Sequence, residues 1–97
     1  MQFKFSPKVL DKLQTSHGVK QQDVFECFFN RTASFLVDTR EDNRTNPETQ
    51  WFISETDVGT KLKVCFIHIG SELIIKTTYP PNPEEIRIYD KYAQCVA

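Results

Sequence analysis

TQWFISETDVGTKLKVCFIHIGSELIIKTTYPP, residues Thr49–Pro81, decides the fold. It contains three runs rich in β-branched, aromatic and aliphatic residues: Trp51–Thr56, Leu62–Ile69 and Leu73–Tyr79. Asp57-Val58-Gly59-Thr60 separates the first two and Gly70-Ser71-Glu72 the last two. Short glycine-containing gaps between such runs predict antiparallel hairpins, that is, a meander. Parallel pairing within it would need crossovers of a dozen or more residues, and these gaps are too short. Strict alternation places Leu62, Val64, Phe66 and His68 on one face of the middle strand, with Lys61, Lys63, Cys65, Ile67 and Ile69 on the other. In the last strand it groups Leu73, Ile75, Thr77 and Tyr79 against Ile74, Lys76 and Thr78. Both faces are substantially apolar near the strand middles, so helices are expected to cover much of one face, with the other partly covered.

Upstream, Phe3-Lys4-Phe5 alternates and predicts a short edge strand. Ser6-Pro7 reads as N-cap and first residue of a helix over Pro7–Thr15, with Val9, Leu10 and Leu13 as its apolar stripe and Gly18 as its stop. A second helix is expected over Gln21–Asn30, with Val24, Phe25, Phe28 and Phe29 on its apolar face and Cys27 at the border. Lys20 is a poor cap for it. Ser34–Asp38 predicts a short strand, followed by the wholly polar loop Thr39–Pro47. Downstream, Pro80-Pro81 ends the last strand. Asn82-Pro83-Glu84-Glu85 starts a helix that turns Ile86, Tyr89 and Ala93 toward the sheet. The tail Gln94–Ala97 is expected to fray. The predicted class is α+β: a four-stranded antiparallel sheet, with a short N-terminal edge strand, two N-terminal helices and one C-terminal helix.

Length and composition agree with one soluble domain over residues 1–97, since a chain this long buries somewhat over about 60% of its unfolded surface. Hydrophobic residues are 39% and charged residues 26%, which separates the chain from disordered sequences. No apolar run reaches the roughly 20 residues of a membrane span, and the N-terminus lacks a signal-peptide apolar region, so no membrane association and a cytoplasmic location are expected. Three widely spaced cysteines, Cys27, Cys65 and Cys95, suit neither a disulfide framework nor zinc. A net charge of −1 argues against coating nucleic acid by overall charge while leaving room for a local basic patch. No metal-ligand spacing, glycine-rich phosphate loop or nucleophile elbow occurs, which argues against metalloenzyme, kinase and hydrolase classes and predicts no metal and no cofactor.

The candidate functional residues are basic and aromatic: His17, Arg40, Arg44, Lys61, Lys63, Lys76 and Tyr79. Lys76 interrupts an otherwise apolar strand, where a lysine costs desolvation unless exposed or paired. It is either a solvated residue on an open sheet face, its stem snorkelling, or a phosphate or acid/base contact. His17, before a glycine at a helix end, is either a C-terminal capping side chain or a general acid/base. His68, beside the apolar Leu62–Phe66 row, reads as structural.

A resemblance sharpens these options. The chain resembles the BrnT-like branch of the RelE superfamily of small toxins through His17-Gly18-Val19, Asp23-Val24 and Phe28, Asp38-Thr39-Arg40, the run Ile74–Tyr79, and Glu85 with Tyr89. It is similar, more closely, to small bacterial proteins that carry the label ADP-ribosyl-(dinitrogen reductase) hydrolase. The shared positions are Asp38–Thr45, Pro47, Thr49, Trp51–Thr56, Gly59, Leu62-Lys63-Val64, Phe66, Lys76-Thr77 and Tyr79-Pro80. The BrnT-like resemblance implies a compact sheet with helices on one side, metal-independent RNA cleavage, RNA or the ribosome as target, and a small antitoxin as partner. It implies His17, Lys76, Arg40 and Tyr79 as catalytic residues, with Arg44, Lys63 and Lys61 binding substrate. Two other functions remain open at this point: a binding module for protein or a small anion built on the same fold, and a protein that handles ADP-ribose or nucleotides.

Overall fold

The structure is a computed structural model and describes residues 2–38 and 47–93. Arg40, Arg44 and most of the polar loop, together with Cys95 and the C-terminal tail, lie outside the described residues. The elements are β1 (Gln2–Lys4), α1 (Pro7–Lys12) continued by a wider π-type turn (Leu13–His17), α2 (Gln21–Phe29), β2 (Leu36–Val37), β3 (Thr49–Glu55), β4 (Lys61–Ile69), β5 (Glu72–Tyr79) and α3 (Pro83–Tyr92). No helix among the described residues is long and apolar enough to cross a membrane.

The meander forms as the gaps predict: β3 pairs antiparallel with β4, and β4 with β5. Among the described residues the sheet has five strands in the order β1-β5-β4-β3-β2. It is mixed, because β1 runs parallel to β5, with Phe3 opposite Leu73. The expected N-terminal edge strand is present beside four antiparallel strands, but its parallel pairing corrects the expectation of a wholly antiparallel sheet. The short-gap argument holds inside the meander, but α1 and α2 lie between β1 and β5 in sequence and supply the crossover that a parallel pair needs. The strand expected over Ser34–Asp38 shortens to Leu36–Val37, opposite Trp51 and Gln50.

The second correction concerns the faces of β5. Cys65 stands opposite Thr77, whereas the next residue, Phe66, stands opposite Ile75. The register advances one residue on β4 and two on β5, so Lys76 is the extra residue of a β-bulge. The bulge breaks strict alternation. Leu73, Ile75 and Thr78 share one face with Phe66 and Val64, while Thr77 and Tyr79 share the other with Cys65 and Lys63. It also explains the lysine within the apolar run: Lys76 is exposed, because a bulged residue leaves the ladder.

Helices cover both faces, which corrects the expectation of helices on one side of the sheet. On one side Phe28 of α2 touches Phe52 and Phe66 at ring-centroid distances of 4.7 and 5.3 Å, and Phe3 and Phe35 extend the cluster. Such tilted and edge-on contacts suit aromatic quadrupoles. Cys27 is fully buried here instead of bordering the apolar face. Burial first, then the nearby Asp23 and Glu26 carboxylates, push its thiol up to about 12, so it is an inert core residue. Lys20 makes no side-chain cap hydrogen bond; the Asp23 carboxylate instead accepts the Lys20 backbone N–H at 3.0 Å. On the other side α3 places Tyr89 5.6 Å from Trp51, and the Tyr89 hydroxyl donates to the Ser34 carbonyl oxygen at 2.9 Å. The capping box at Asn82 and Glu85 fixes where α3 begins.

These positions predict an asymmetric pair of substitutions. Phe66→Ala, in the fully buried cluster, lowers unfolding free energy by about 3–5 kcal/mol, whereas Lys76→Ala at the bulge changes it by less than about 0.5 kcal/mol. Urea unfolding of both variants checks this. Comparable losses would show that Lys76 is a packed strand residue.

Candidate functional site

The most unusual charged residue among those described is Lys63. Its side chain is 4% exposed, with its stem on the α3 face of β4. Burying an ammonium ion costs several kcal/mol unless it is paired and hydrogen-bonded. Lys63 is both. Its Nζ lies 2.7 Å from Glu85 Oε2 on α3 and 3.2 Å from the Tyr79 hydroxyl on β5. The Tyr79 hydroxyl donates to the same Glu85 oxygen at 2.7 Å. The Lys63 ammonium also stands 4.5 Å from the centre of the Trp51 ring, an attractive cation–π position. Three elements thus converge on the Lys63 cation of β4: β3 through Trp51, β5 through Tyr79, and α3 through Glu85.

The protonation energetics follow this geometry. Burial alone would depress the Lys63 ammonium, but the Glu85 carboxylate and the Tyr79 hydroxyl outweigh it, so its pKa lies above the ordinary value. Burial would raise the Glu85 carboxyl, but the hydrogen bonds from Lys63, Tyr79 and the Asn82 backbone outweigh it and hold the pKa below the usual carboxylate range. Tyr79 is raised, first by burial and then by its hydrogen bond to Glu85. The arrangement keeps Lys63 charged, Glu85 ionised and Tyr79 a protonated donor.

His17 joins this cluster from α1. The Thr15 hydroxyl donates to the Asp11 carbonyl oxygen at 2.7 Å, competing with the regular helical ladder, and the last turn widens into the π-type segment. Gly18 then takes a left-handed conformation (φ 63°), with its N–H on Gln14 O and the Val19 N–H on Leu13 O. A side chain at position 18 would strain that turn. The helix therefore runs two residues beyond the expected Thr15, and the half-buried His17 ring comes to rest 5.7 Å from the Tyr79 ring.

Of the residues singled out in the sequence, His17, Lys63 and Tyr79 come together. Lys76 is three residues before Tyr79 on β5, exposed at the bulge. Lys61 is apart from them, opposite Glu55 in the ladder and lining a polar cleft of about 660 Å³ with Asp57 and Asp90. His68 is exposed near the end of β4, opposite Leu73, and lines an aromatic cleft on the α2 face, away from the cluster. Two members of the cluster are not among the sequence candidates: Glu85 reads as a helix-start acid, and Trp51 as the first residue of a strand run. The signal that could have found them was the pairing of Lys63 with a strand-end tyrosine, which leaves a buried cation in need of a carboxylate. Beside the cluster a cleft of about 490 Å³ opens, lined by Leu36, Val37, Asp38, Trp51, Ile88 and Tyr92, with Lys63 and Glu85 in its wall. Among the described residues, no group of three or more histidine, cysteine or acidic side chains is placed to hold a metal ion.

No family model matches the chain, and no curated protein matches it.

The signs of the pKa shifts define a pH window. Glu85 is depressed, so its stabilisation is complete above its ordinary value of 4.5 and is lost as pH falls through the depressed value. Lys63 is raised, so its contribution is complete below its ordinary value of 10.5 and is lost as pH rises through the raised value. Glu85→Gln leaves the Lys63 charge buried and unpaired, and at pH 7 this costs about 3–5 kcal/mol. The gap between wild type and variant closes as pH drops below the Glu85 pKa. Denaturant titrations from pH 2 to 8 check this, and a gap that stays constant would contradict the ion pair.

Proposed function

We propose that this chain is a small endoribonuclease of the RelE-like toxin type, with proton transfer at the place where His17 meets Tyr79. One observation carries the reading. A histidine ring lies against a tyrosine whose hydroxyl is held, protonated, by a buried lysine–glutamate pair. Cleavage of RNA through its own 2′-hydroxyl needs a base for that hydroxyl, a proton for the departing 5′-oxygen and stabilisation of the phosphorane charge. It needs no redox chemistry. In this scheme His17 takes the 2′-hydroxyl proton and, as imidazolium, returns a proton to the departing 5′-oxygen, while the Tyr79 hydroxyl turns its one proton from Glu85 to a phosphorane oxygen, leaving Glu85 paired with Lys63. Lys76, exposed on the same strand, supplies positive charge to the phosphate. Lys63 has its ammonium committed to Glu85, so its part is to position Tyr79 instead of contacting phosphate. Arg40 and Arg44 are the proposed further phosphate contacts. The resemblance also proposes a small protein antitoxin as the natural inhibitor.

A second reading, a binding module without catalysis, is favoured by the cleft of about 490 Å³ beside Trp51, whose wall is largely apolar. Pockets with apolar walls and a few fixed polar groups suit ligand or peptide binding.

The two readings separate in one assay. Purified protein is incubated with RNA, alone and on ribosomes, and cleavage products are mapped. His17→Ala and Tyr79→Phe each reduce the cleavage rate by about 10²–10⁴-fold, with unfolding stability measured in parallel. Cleavage that equals that of the His17→Ala/Lys76→Ala variant would remove the enzymatic reading and leave the binding module.

A further inference from the structure

Phe29, the last residue of α2, is 92% exposed, the most exposed large apolar side chain among the described residues. It stands as a ridge between two clefts of opposite character. One, of about 540 Å³, is walled by Phe3, Phe25, Phe28 and Phe35 and carries Arg31 and His68. The Arg31 guanidinium lies 4.1 Å above the Phe35 ring and donates to the Ala33 carbonyl oxygen. It has no carboxylate partner among the described residues. The other cleft, of about 280 Å³, carries Glu26 and Asp57. Glu26 accepts from the Asp57 backbone N–H and the Gln22 amide, and Asp57 accepts from the Asn30 amide. These are neutral donors, so both carboxylates keep an unneutralised charge.

An exposed aromatic ridge with an unpaired cation on one side and unpaired carboxylates on the other is self-complementary under a two-fold axis through the ridge. A two-fold interface presents the same patch twice, and each residue that meets a different residue is met in return. We infer that this face closes on a second copy of the chain. The two Phe29 rings meet at the axis, each at the mouth of the other's aromatic cleft. Arg31 faces the partner's Glu26 and Asp57, and the partner's Arg31 faces Glu26 and Asp57 in return. An acidic peptide would satisfy Arg31 but would leave Glu26 and Asp57 facing it with like charge. A second copy satisfies both sides. The face includes none of the residues assigned to proton transfer, so the inference stands apart from the proposed activity.

Sedimentation equilibrium tests it on the full chain. Small interfaces, below about 1,200 Å² in total, belong to weak and transient pairs, so the measurement extends to protein concentrations of about 1 mM. The average mass of the wild type rises with concentration from 11.3 kDa toward twice that value. Added salt weakens the rise, since the rim charges are screened. Phe29→Asp stays monomeric throughout, and because Phe29 touches solvent its circular dichroism matches the wild type. Arg31→Glu and Glu26→Lys each weaken association by about tenfold or more through like-charge juxtaposition. The double variant Glu26→Lys/Arg31→Glu associates again with near wild-type strength. A wild type that remains monomeric at the highest concentration would overturn the inference, as would dimers indifferent to Phe29→Asp or charge reversals that do not compensate.

Discussion

A buried ammonium ion organises this molecule. Lys63 sits in the middle of the sheet, on the face that α3 covers, and is almost closed to solvent. Such a charge is tolerated only where its surroundings answer it. Here they do so from three directions: a carboxylate from α3, a hydroxyl from β5 and a ring face from β3. Each of those groups is fixed in turn. Glu85 is the third residue of α3, set by the capping box with Asn82. Tyr79 is the last residue of β5, beyond the bulge that turns it to the α3 face. Trp51 is pinned between Lys63 and Tyr89. The ion pair therefore couples the start of the last helix to the sheet, and it keeps Tyr79 protonated beside His17.

The bulge at Lys76 is the second organising feature. Without it, β5 would point Tyr79 toward the α2 face, away from Lys63 and Glu85. One extra residue re-aims the end of the strand, which is the recurrent use of bulges beside functional sites. The π-type turn at Leu13–His17 makes a similar adjustment from the helical side. Two local departures from regular geometry, one in a strand and one in a helix, thus bring two aromatic rings together. The bulge has a cost in the main core, on the opposite face around Phe28, Phe52 and Phe66: it turns Thr78 there, opposite Val64, with its buried hydroxyl lacking a hydrogen-bond partner among the described residues.

The architecture was legible where it depends on short-range chemistry. Gaps too short for a crossover force the meander, and Asn82-Pro83-Glu84-Glu85 announces its helix through capping and dipole preferences. The parallel β1–β5 pair was not legible, because it joins the two ends of the fold and no local signal marks a long-range partner. The faces of β5 depart from strict alternation for a related reason. Period two assumes an unbroken ladder, and a bulge is set by how two strands meet and not by either strand alone. The candidate site shows the same division. His17, Lys63 and Tyr79 could be selected as residue types that carry proton or phosphate chemistry. Their convergence, and the roles of Glu85 and Trp51, exist only in three dimensions. Lys76, which draws the eye in the sequence, owes its position first to the bulge.

A double-mutant cycle on unfolding free energy, with Lys63→Met, Glu85→Gln and the pair combined, tests the organising ion pair most directly. Removing either partner alone costs about 3–5 kcal/mol because the other is stranded in the interior. Removing both recovers most of that loss, leaving the double variant more stable than Glu85→Gln alone. Losses that simply add would mean that Lys63 and Glu85 act independently, and Tyr79 would then have lost the support on which the proposed chemistry rests.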